Sequence, residues 1–428
     1  MSALPLAELI TQPLDNSSSE PVWLSQQRQL AAKRLQATGL PAEGSENWRY
    51  SSLRSLLKKV YLEDAEVALD EQQLLSQTGL QAGDYRMIFI NGRYQAQLSL
   101  VPPDVSIRNL ASVLAEPELE AMLSQVPEAL DSGFSWLNTM TFTDGLFVRL
   151  KAGQSLTAPL HFIQVSSGSG QTNSRHVISL AAAAKLTLIE QFIEITDMPP
   201  AQGLLNSQID VELADSARLD WSRSQSLGAS AQLVDRLNCK LGKNSHFHST
   251  QLDTGGQWVR HDVDVRLDQP GGFVKVNGVV MVRGRQHCDI HTRIIHAAEN
   301  CTSREMFKYL ADGRSRAVFN GKVIVLPGAD GTDSAQRSDN LLLSEHARID
   351  TKPDLEIHTD DVIASHGATV GQLDEDALFY LRSRGIDMHS ARRLLMRAFS
   401  QQVIEQQKDK CARAAFELKL DEIFVQVG

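Results

Sequence analysis

One histidine has the surroundings that a metal-binding or proton-accepting residue needs. His366 lies between Ser365 and Gly367, and these small neighbours would let another chain approach its ring. A neutral imidazole binds iron and accepts a proton near physiological pH. A lone histidine in a strand is more often a structural residue, so the residue by itself leaves both interpretations open.

A second group, made of His287, Cys288 and His291, has the residue types of a metal site without the spacing. In an extended strand the two histidines share one face at a separation of roughly 13 Å, and Cys288 points to the other face. One zinc ion needs its ligand atoms within about 2.0–2.3 Å. We therefore interpret these residues as ordinary strand packing, and the alternating His246 and His248 as a pair on the surface.

The thiols are scattered. Cys239, Cys288, Cys301 and Cys411 form no Cys-x-x-Cys pair, which argues against a disulfide framework and against a complete iron–sulfur or zinc site built by this chain alone. The sequence has no Gly-x-Ser-x-Gly nucleophile motif and no P-loop, so it predicts neither a serine hydrolase nor an ATPase. Any cluster that this chain handles would need thiolates from a partner.

The acidic pair Asp360-Asp361 leaves an enzymatic alternative open. Paired carboxylates can cleave polysaccharides, but β-helical enzymes of that kind usually work outside the cell. The N-terminus lacks the basic start and apolar core of a secretory signal. We interpret the pair as a solvated strand end and keep two alternatives, a β-helical carbohydrate-active enzyme and an exported β-solenoid adhesin.

Charge and hydropathy exclude two classes of partner. The 428 residues carry a net charge of −10, and 42% are hydrophobic and 22% charged. A nucleic-acid binder would need a basic face, and no apolar run reaches the length that spans a bilayer. We expect a cytoplasmic protein that binds neither nucleic acid nor a membrane.

These residues must be positioned by three successive regions. Residues 1–139 predict a mostly helical region with a loose arm at 1–20, a helix at 21–38, a hairpin across Asn91-Gly92 and a helical stretch at about 110–130. Residues 373–428 predict a helical region that docks a partner. Its main apolar stripe is Ala391, Leu394, Leu395, Ala398, Phe399, Val403 and Ile404. Helices of this kind either cap the preceding body or bind a partner, and both interpretations stay open.

Between them, residues 140–372 repeat one phrase: an apolar strand, a leucine, a few small or polar residues, then another strand. The leucines are Leu150, Leu180, Leu213, Leu241 and Leu267, with a spacing of roughly 26–33 residues, as in solenoid coils. No long helical pattern interrupts the strands, which leaves a sandwich or a β-helix. This repeated sequence pattern favours the β-helix.

Three motifs in order carry a family resemblance. The first runs from Gly39 to Tyr50, the second from Asp312 to Val323, and the third reads Ser-His-Gly-Ala-Thr-Val-Gly from Ser365, followed by Leu-Phe-Tyr-Leu-Arg-Ser-Arg-Gly-Ile from Leu378. Together they resemble the SufB/SufD family of the SUF iron–sulfur cluster assembly system, and its SufD branch in particular. The resemblance runs from about residue 39 to the C-terminus.

The resemblance implies a mainly β protein with a right-handed parallel β-helix core, an N-terminal mixed α/β region and a C-terminal helical region. It implies a non-catalytic scaffold subunit of a SufBCD-type complex, which pairs with a SufB-like paralogue through the late strands and binds a SufC-like ATPase. The cofactor would be an iron–sulfur cluster assembled transiently at the interface with the partner. The isolated chain would have a homodimer as an alternative state.

The resemblance also assigns site residues. His366 would be a metal ligand to the nascent cluster, shared with the partner. The partner-binding residues would be Phe379, Tyr380, Arg382, Arg384, Leu395 and Phe399. Two features differ from relatives: Ala364 stands where SufD proteins can carry a cysteine, and the stretch beginning at Ser338 lacks the assembly cysteine of SufB. The chain is therefore expected to supply the histidine and leave the thiolate to SufB.

Overall fold

The computed structural model describes residues 4–9, 20–42, 44–62, 67–123 and 133–427. Most of the predicted arm at 1–20 and the end of the predicted helical stretch at 110–130 lie outside the described residues. Within the described ranges, no helix is long and apolar enough to cross a membrane.

A mixed α/β region comes first. Its helices are α1 (Leu6–Leu9), α2 (Val22–Thr38), α3 (Arg54–Lys58), α4 (Glu71–Thr78), α5 (Pro117–Leu123) and α6 (Gly133–Thr141), and its strands are β1 (Leu4–Pro5), β2 (Val60–Tyr61), β3 (Arg86–Ile90), β4 (Arg93–Tyr94) and β5 (Ser106–Asn109). Strands β3 and β4 form the predicted hairpin, in which Asn91 and Gly92 have φ of 48° and 73°. Positive φ at both positions is what the favoured two-residue hairpin turn requires.

The main body is the predicted parallel β-helix. Its strands are β6 (Leu146–Leu150), β7 (Leu160–Val165), β8 (Gln171–Leu180), β9 (Lys185–Ile193), β10 (Leu204–Leu213), β11 (Arg218–Gln225), β12 (Gln232–Leu241), β13 (His246–Asp253), β14 (Trp258–Leu267), β15 (Phe273–Val282), β16 (His287–His296), β17 (Thr302–Ala311), β18 (Arg316–Val325), β19 (Thr332–Leu342), β20 (Arg348–Ile357) and β21 (Val362–Gly371). Even-numbered strands from β6 to β20 stack into one parallel sheet, and odd-numbered strands from β7 to β21 into the other. Each coil thus adds one strand to each sheet.

The repeated leucine phrase marks the same corner of successive coils. The leucines that end β6, β8, β10, β12 and β14 align in register and are buried. The turns after three of them contain Ala183, Ser216 and Asn244, with φ of 59°, 60° and 53°. Each leucine fills the interior of the β-helix, which we call the lumen, and the short polar turn starts the next strand.

Three capped helices follow, α7 (Glu375–Ser383), α8 (Met388–Ile404) and α9 (Lys410–Phe424). The alternative that the helices cap the end of the β-helix does not hold for α8. Helix α8 lies along the outer face of the odd-numbered sheet, against β15 and β17. It packs there because Val279, Met281 and Leu310 make that outer face apolar.

The apolar stripe predicted on α8 is buried only in part. Ala391, Val403 and Ile404 are buried, whereas Leu394 and Ala398 are exposed. A helix resting on a sheet presents only one arc of its surface to the core. The stripe is wider than that arc, so its remaining members face solvent.

The two ends of the β-helix are built differently. At the N-terminal end, β4 pairs antiparallel with β3, and β5 pairs antiparallel with β6. At the C-terminal end, β20 and β21 each have a neighbour on one side only among the described strands. The C-terminal end therefore exposes two strand edges and the inner face of the last coil.

Candidate functional site

His366 lies on the outermost strand of the odd-numbered sheet. It is in the middle of β21, and its side chain is exposed. A Cβ added at Gly367 would meet no atom within 4 Å. Within the described part of the chain, the His366 ring makes no hydrogen bond or ion pair. The ring is therefore open to a group from another molecule.

A lateral row of side chains leads from His366 into the lumen. Glu305 of β17 pairs in register with Gln336 of β19, which pairs in register with His366 of β21. In-register residues point to the same side of a sheet. Phe307 and Tyr309, at alternate positions after Glu305, belong to the lumen core. The three side chains of the row therefore point toward the lumen, and His366 is the member at its open end.

The first two members of this row are buried and bonded to each other. Gln336 Nε2 donates a hydrogen bond of 2.7 Å to Glu305 Oε2. The Thr292 hydroxyl of the facing strand β16 also interacts with Glu305, whereas Gln336 Oε1 is buried without a hydrogen-bond partner among the described residues. Burial raises the pKa of Glu305 to about 7, because a carboxylate loses its hydration in the lumen.

A cavity of about 650 Å³ borders the same strands. Its lining includes His366 together with the basic side chains of Lys275, Arg304 and Arg337. Burial, reinforced by Lys408 and Arg304, lowers the pKa of Lys275. Within the described residues, no cysteine lines this cavity. Lys275, Arg304 and Arg337 alternate with the lumen-facing positions of their strands, so these cations lie on the outer face of the sheet, whereas the His366 position faces the lumen.

The metal-like group on β16 has the arrangement that strand geometry predicts. Cys288 belongs to the lumen core, and burial raises the pKa of its thiol well above the usual range. The two histidines have other partners: His287 Nε2 lies 2.7 Å from Ser51 Oγ, and His291 Nε2 lies 3.0 Å from Asp289 Oδ1. Across the described ranges, no three His, Cys, Asp or Glu side chains are grouped to hold a metal ion.

His246 and His248 are not both on the surface, contrary to the interpretation from sequence. His246 packs on the ring of Phe273 with 5.4 Å between centroids. His248 is buried, with Nδ1 3.3 Å from Asp220 Oδ1. The segment between α8 and α9 covers this part of the sheet, where Lys408 Nζ donates to the same Asp220 oxygen at 2.6 Å.

The partner-binding residues predicted on the helices fall into two groups. Phe379 is 75% exposed, and Tyr380, Arg382 and Arg384 are exposed beside it. The Arg384 guanidinium stacks on the Tyr380 ring at 5.2 Å. Leu395 and Phe399 are instead half-buried against the apolar cluster under α8. The second pair supports the helix on the sheet.

Sequence reasoning missed Glu305 and Gln336. The available signal was the coil length, because the two residues precede His366 by about two coils and one coil. A second signal was alternation: Ser303, Glu305, Phe307 and Tyr309 share one face of β17. A carboxylate in line with two core aromatic rings indicates a buried, functional or specially partnered acid.

Comparisons with known proteins agree on one family. A model described as "SUF system FeS cluster assembly, SufBD core domain" matches residues 162–399, and one described as "SufBD protein N-terminal region" matches residues 9–162. The iron–sulfur cluster assembly protein SufD of Escherichia coli (strain K12) is 29% identical over 393 residues, which cover 90% of each chain. The SufBD family protein slr0076 of Synechocystis is 29% identical, covering 91% of this chain and 89% of that protein. Protein ABCI7, chloroplastic, of Arabidopsis thaliana is 27% identical, covering 94% and 86%.

Proposed function

The chain belongs to the SufBD family of the SUF iron–sulfur cluster assembly system, and from this premise we propose that it is a SufD-type scaffold subunit. It pairs with a SufB-like paralogue at the open end of its β-helix. It holds a SufC-like ATPase on its C-terminal helices. The nascent iron–sulfur cluster is the cargo of the complex, and His366 is one of its ligands.

The observation that carries this proposal is the place of His366 on the edge strand β21, which has a neighbour on one side only among the described strands. An exposed edge has backbone N–H and C=O groups that another strand can pair with. Beside the histidine, Ile363 is 73% exposed and Val370 is 47% exposed. A SufB-like β-helix that extended the sheet would cover these apolar groups and bring its own side chains to the imidazole.

The chemistry of the site supports a shared cluster. Iron–sulfur clusters are bound mainly by thiolates, with histidine as an occasional ligand. Three of the four cysteines of this chain, Cys239, Cys288 and Cys301, are buried, and Cys411 is on α9. The chain therefore supplies an imidazole at the interface, and the partner supplies thiolates.

The helices supply the second part of the proposal. Phe379, Tyr380, Arg382 and Arg384 form an exposed aromatic and cationic surface on α7 and the turn after it. Such groups are enriched at protein interfaces. We assign ATPase docking to this surface, and we give Leu395 and Phe399 the supporting role of fixing α8 on the sheet. ATP hydrolysis belongs to the partner, and this subunit is not itself an enzyme.

Replacement of His366 tests the proposal. His366→Ala should leave the complex with SufB-like and SufC-like subunits intact by size-exclusion chromatography, while most of the cluster absorbance per complex is lost during reconstitution. His366→Cys keeps a metal ligand and should retain more absorbance than the alanine variant. His358→Ala is the matched control, because His358 is another exposed histidine, which directly follows β20 of the other sheet. Normal cluster formation by the His366→Ala complex would refute the assignment.

A further inference from the structure

A groove with an excess of positive charge lies on the outer face of the odd-numbered sheet and reaches its free edge. It is the cavity of about 650 Å³ described above, and its basic side chains are Lys275, Arg304 and Arg337. Among its described lining residues, Asp339 is the one whose carboxylate lies on this face, because the Glu305 side chain points to the lumen. Positive charge collects here although the whole chain carries a net charge of −10. We call this cavity the cationic groove.

The two cations farthest from the free edge have different partners. Arg304 forms an ion pair with Asp333. Lys275 Nζ instead donates to the neutral amide oxygen of Gln406, Oε1, at 2.5 Å. Within the described residues no carboxylate lies within ion-pair distance of Lys275, so its positive charge is left without a counterion in the groove.

Arg337 is the cation nearest the free edge, and its guanidinium is paired only in part. Its Nε donates to Asp339 Oδ2 at 2.9 Å, and Lys308 Nζ lies 3.5 Å from the same oxygen. Among the described residues no acceptor bonds to the two terminal nitrogens of Arg337, and its side chain is 60% exposed. A guanidinium binds a carboxylate through two parallel N–H donors, and Arg337 has such donors available.

Small residues separate Arg337 from the free edge. Arg337 pairs in register with Gly367 of β21, and Ala335 pairs with Ser365. A Cβ added at Gly367 would meet no atom within 4 Å. A strand added beside β21 would place its residue opposite Gly367 about 10 Å from the Arg337 backbone, because neighbouring strands lie about 4.8 Å apart. An arginine and a glutamate side chain together span that distance across the glycine.

Of the two free strand edges, β21 offers the complete one. Strand β20 contains Pro353, which has no N–H. The N–H groups of Arg348 and His358 face β18, and N–H groups alternate between the two sides of a strand, so the nitrogen of Pro353 faces the free side. Strand β21 contains no proline. A strand that extends the β-helix therefore finds an uninterrupted row of donors at β21, next to the cationic groove.

We propose that the cationic groove receives a carboxylate of the SufB-like partner: a partner strand that pairs along β21 carries an Asp or Glu on its outward face next to Gly367, and Arg337 binds it. This inference rests on the proposed function, because it states how the same partner is recognised. The ion pair would lie on the outer face of β21, opposite to the His366 side chain. Recognition of the partner and cluster chemistry would then use different faces of one strand.

The groove would also select against pairing of two copies of this chain. The outward residues of β21 carry no carboxylate; they are Ile363, Ser365, Gly367, Thr369 and Gly371. A second copy that paired through its own β21 would leave Arg337 and Lys275 without a counterion. Charge complementarity of this kind speeds association with the correct partner and disfavours the wrong one.

The first test reverses the charge of Arg337. At about 50 mM salt, titration of the SufB-like subunit into Arg337→Glu should show at least about tenfold weaker binding than into the native chain. The difference should shrink at about 500 mM salt, because salt screens exposed charges. Arg348→Glu is the matched control, since Arg348 is an exposed arginine on β20, the edge strand of the other sheet. It should change the affinity by less than about twofold.

Two substitutions at Gly367 separate charge from size. Gly367→Glu and Gly367→Lys add side chains of similar length at a position where an added Cβ has space. With a partner carboxylate beside Gly367, the glutamate variant should bind the SufB-like subunit at least about tenfold more weakly than the lysine variant, because only the glutamate repels that carboxylate. Equal weakening by both variants would be a steric effect and would overturn the inference.

The results separate this inference from the proposed function. If the native chain binds the SufB-like subunit and neither charge change alters the affinity, the proposed function stands and the inference fails. If the charge changes act as expected while His366→Ala assembles clusters normally, the inference stands and the role of His366 fails. If the native chain does not bind the SufB-like subunit, both fail. Binding of inorganic phosphate to the isolated chain that Arg337→Glu abolishes, with unchanged subunit affinity, would assign the groove to a small anion and overturn the inference.

Discussion

The N-terminal end of the β-helix, where the last strands are covered by antiparallel neighbours, is called here the closed end, and the C-terminal end the open end. Buried charged side chains have different partners toward these two ends. In the coils toward the closed end, Arg223 is 1% exposed and lies 2.8 Å from Asp253 and 3.0 Å from Asp235. Its guanidinium also stacks over the Phe192 ring at 4.9 Å. Toward the open end, Glu305 has no cation within ion-pair distance among the described residues. Its bonded neighbour is the neutral Gln336.

This difference indicates different roles for the two parts of the lumen. A buried charge needs a partner of opposite sign to be tolerated, and the Arg223 cluster is complete in that respect. Glu305 and Gln336 instead lead to an exposed histidine on β21, which pairs on one side only among the described strands. The closed end thus contains buried charges paired with charges of opposite sign, and the open end contains a buried acid bonded to the neutral Gln336.

Removal of the Arg223 guanidinium should have the largest effect. Arg223→Met would leave Asp235 and Asp253 buried without their cation, so we expect a loss of about 3–5 kcal/mol in the free energy of unfolding. Urea denaturation followed by circular dichroism measures it. Arg397→Met removes an exposed ion pair with Asp421 and should cost less than about 1 kcal/mol. Equal stability losses in the two variants would contradict the structural role of the closed-end network.

Replacement of Glu305 should change how stability depends on pH. The pKa of Glu305 is about 7 in the folded chain and about 4.3 in an unfolded chain, so between these values the folded state holds the proton more often. The free energy of unfolding therefore falls as pH rises through this window. Glu305→Gln cannot titrate, and at pH 8 it should be more stable than the native chain by on the order of 3 kcal/mol.

The measurement is urea unfolding of both chains at several pH values from 4 to 8. Other buried acids, including Glu190, whose pKa burial and the Asp235 charge raise to about 8, are the same in both chains and cancel in the difference. If the difference in free energy of unfolding between the two chains stays constant from pH 4 to pH 8, Glu305 does not titrate in this range.

The smallest expected effect is that of a substitution on the edge strand β21. Ile363→Asp places a charge on an exposed position of β21, so the free energy of unfolding should change by less than about 0.5 kcal/mol. Binding to the SufB-like subunit should weaken by about 2 kcal/mol, as for an apolar interface anchor. Titration calorimetry of the two subunits measures this, and Leu418→Asp on the exposed face of α9 is the control. If only Leu418→Asp weakened binding, the interface with the SufB-like subunit would not be at the open end.

Local sequence patterns were sufficient to predict several secondary-structure elements and the fold class. The Asn91-Gly92 hairpin, the cap of α7 at Asp374 and the leucine corners are decided by residues close in sequence. Alternation also placed Cys288 away from its neighbouring histidines, because the two faces of a strand are set by the backbone. The regional bounds 1–139, 140–372 and 373–428 stay a prediction.

Only the tertiary structure decided which residues share a row and which surface receives the helices. Glu305, Gln336 and His366 come together because three successive coils align in register, and coil lengths that vary with each turn hide that register in the sequence. Likewise, α8 rests on the side of the β-helix because outward residues of β15 and β17 are apolar. A helical stripe shows how much surface a helix can bury, whereas the shape of the surface that it meets determines which part is buried.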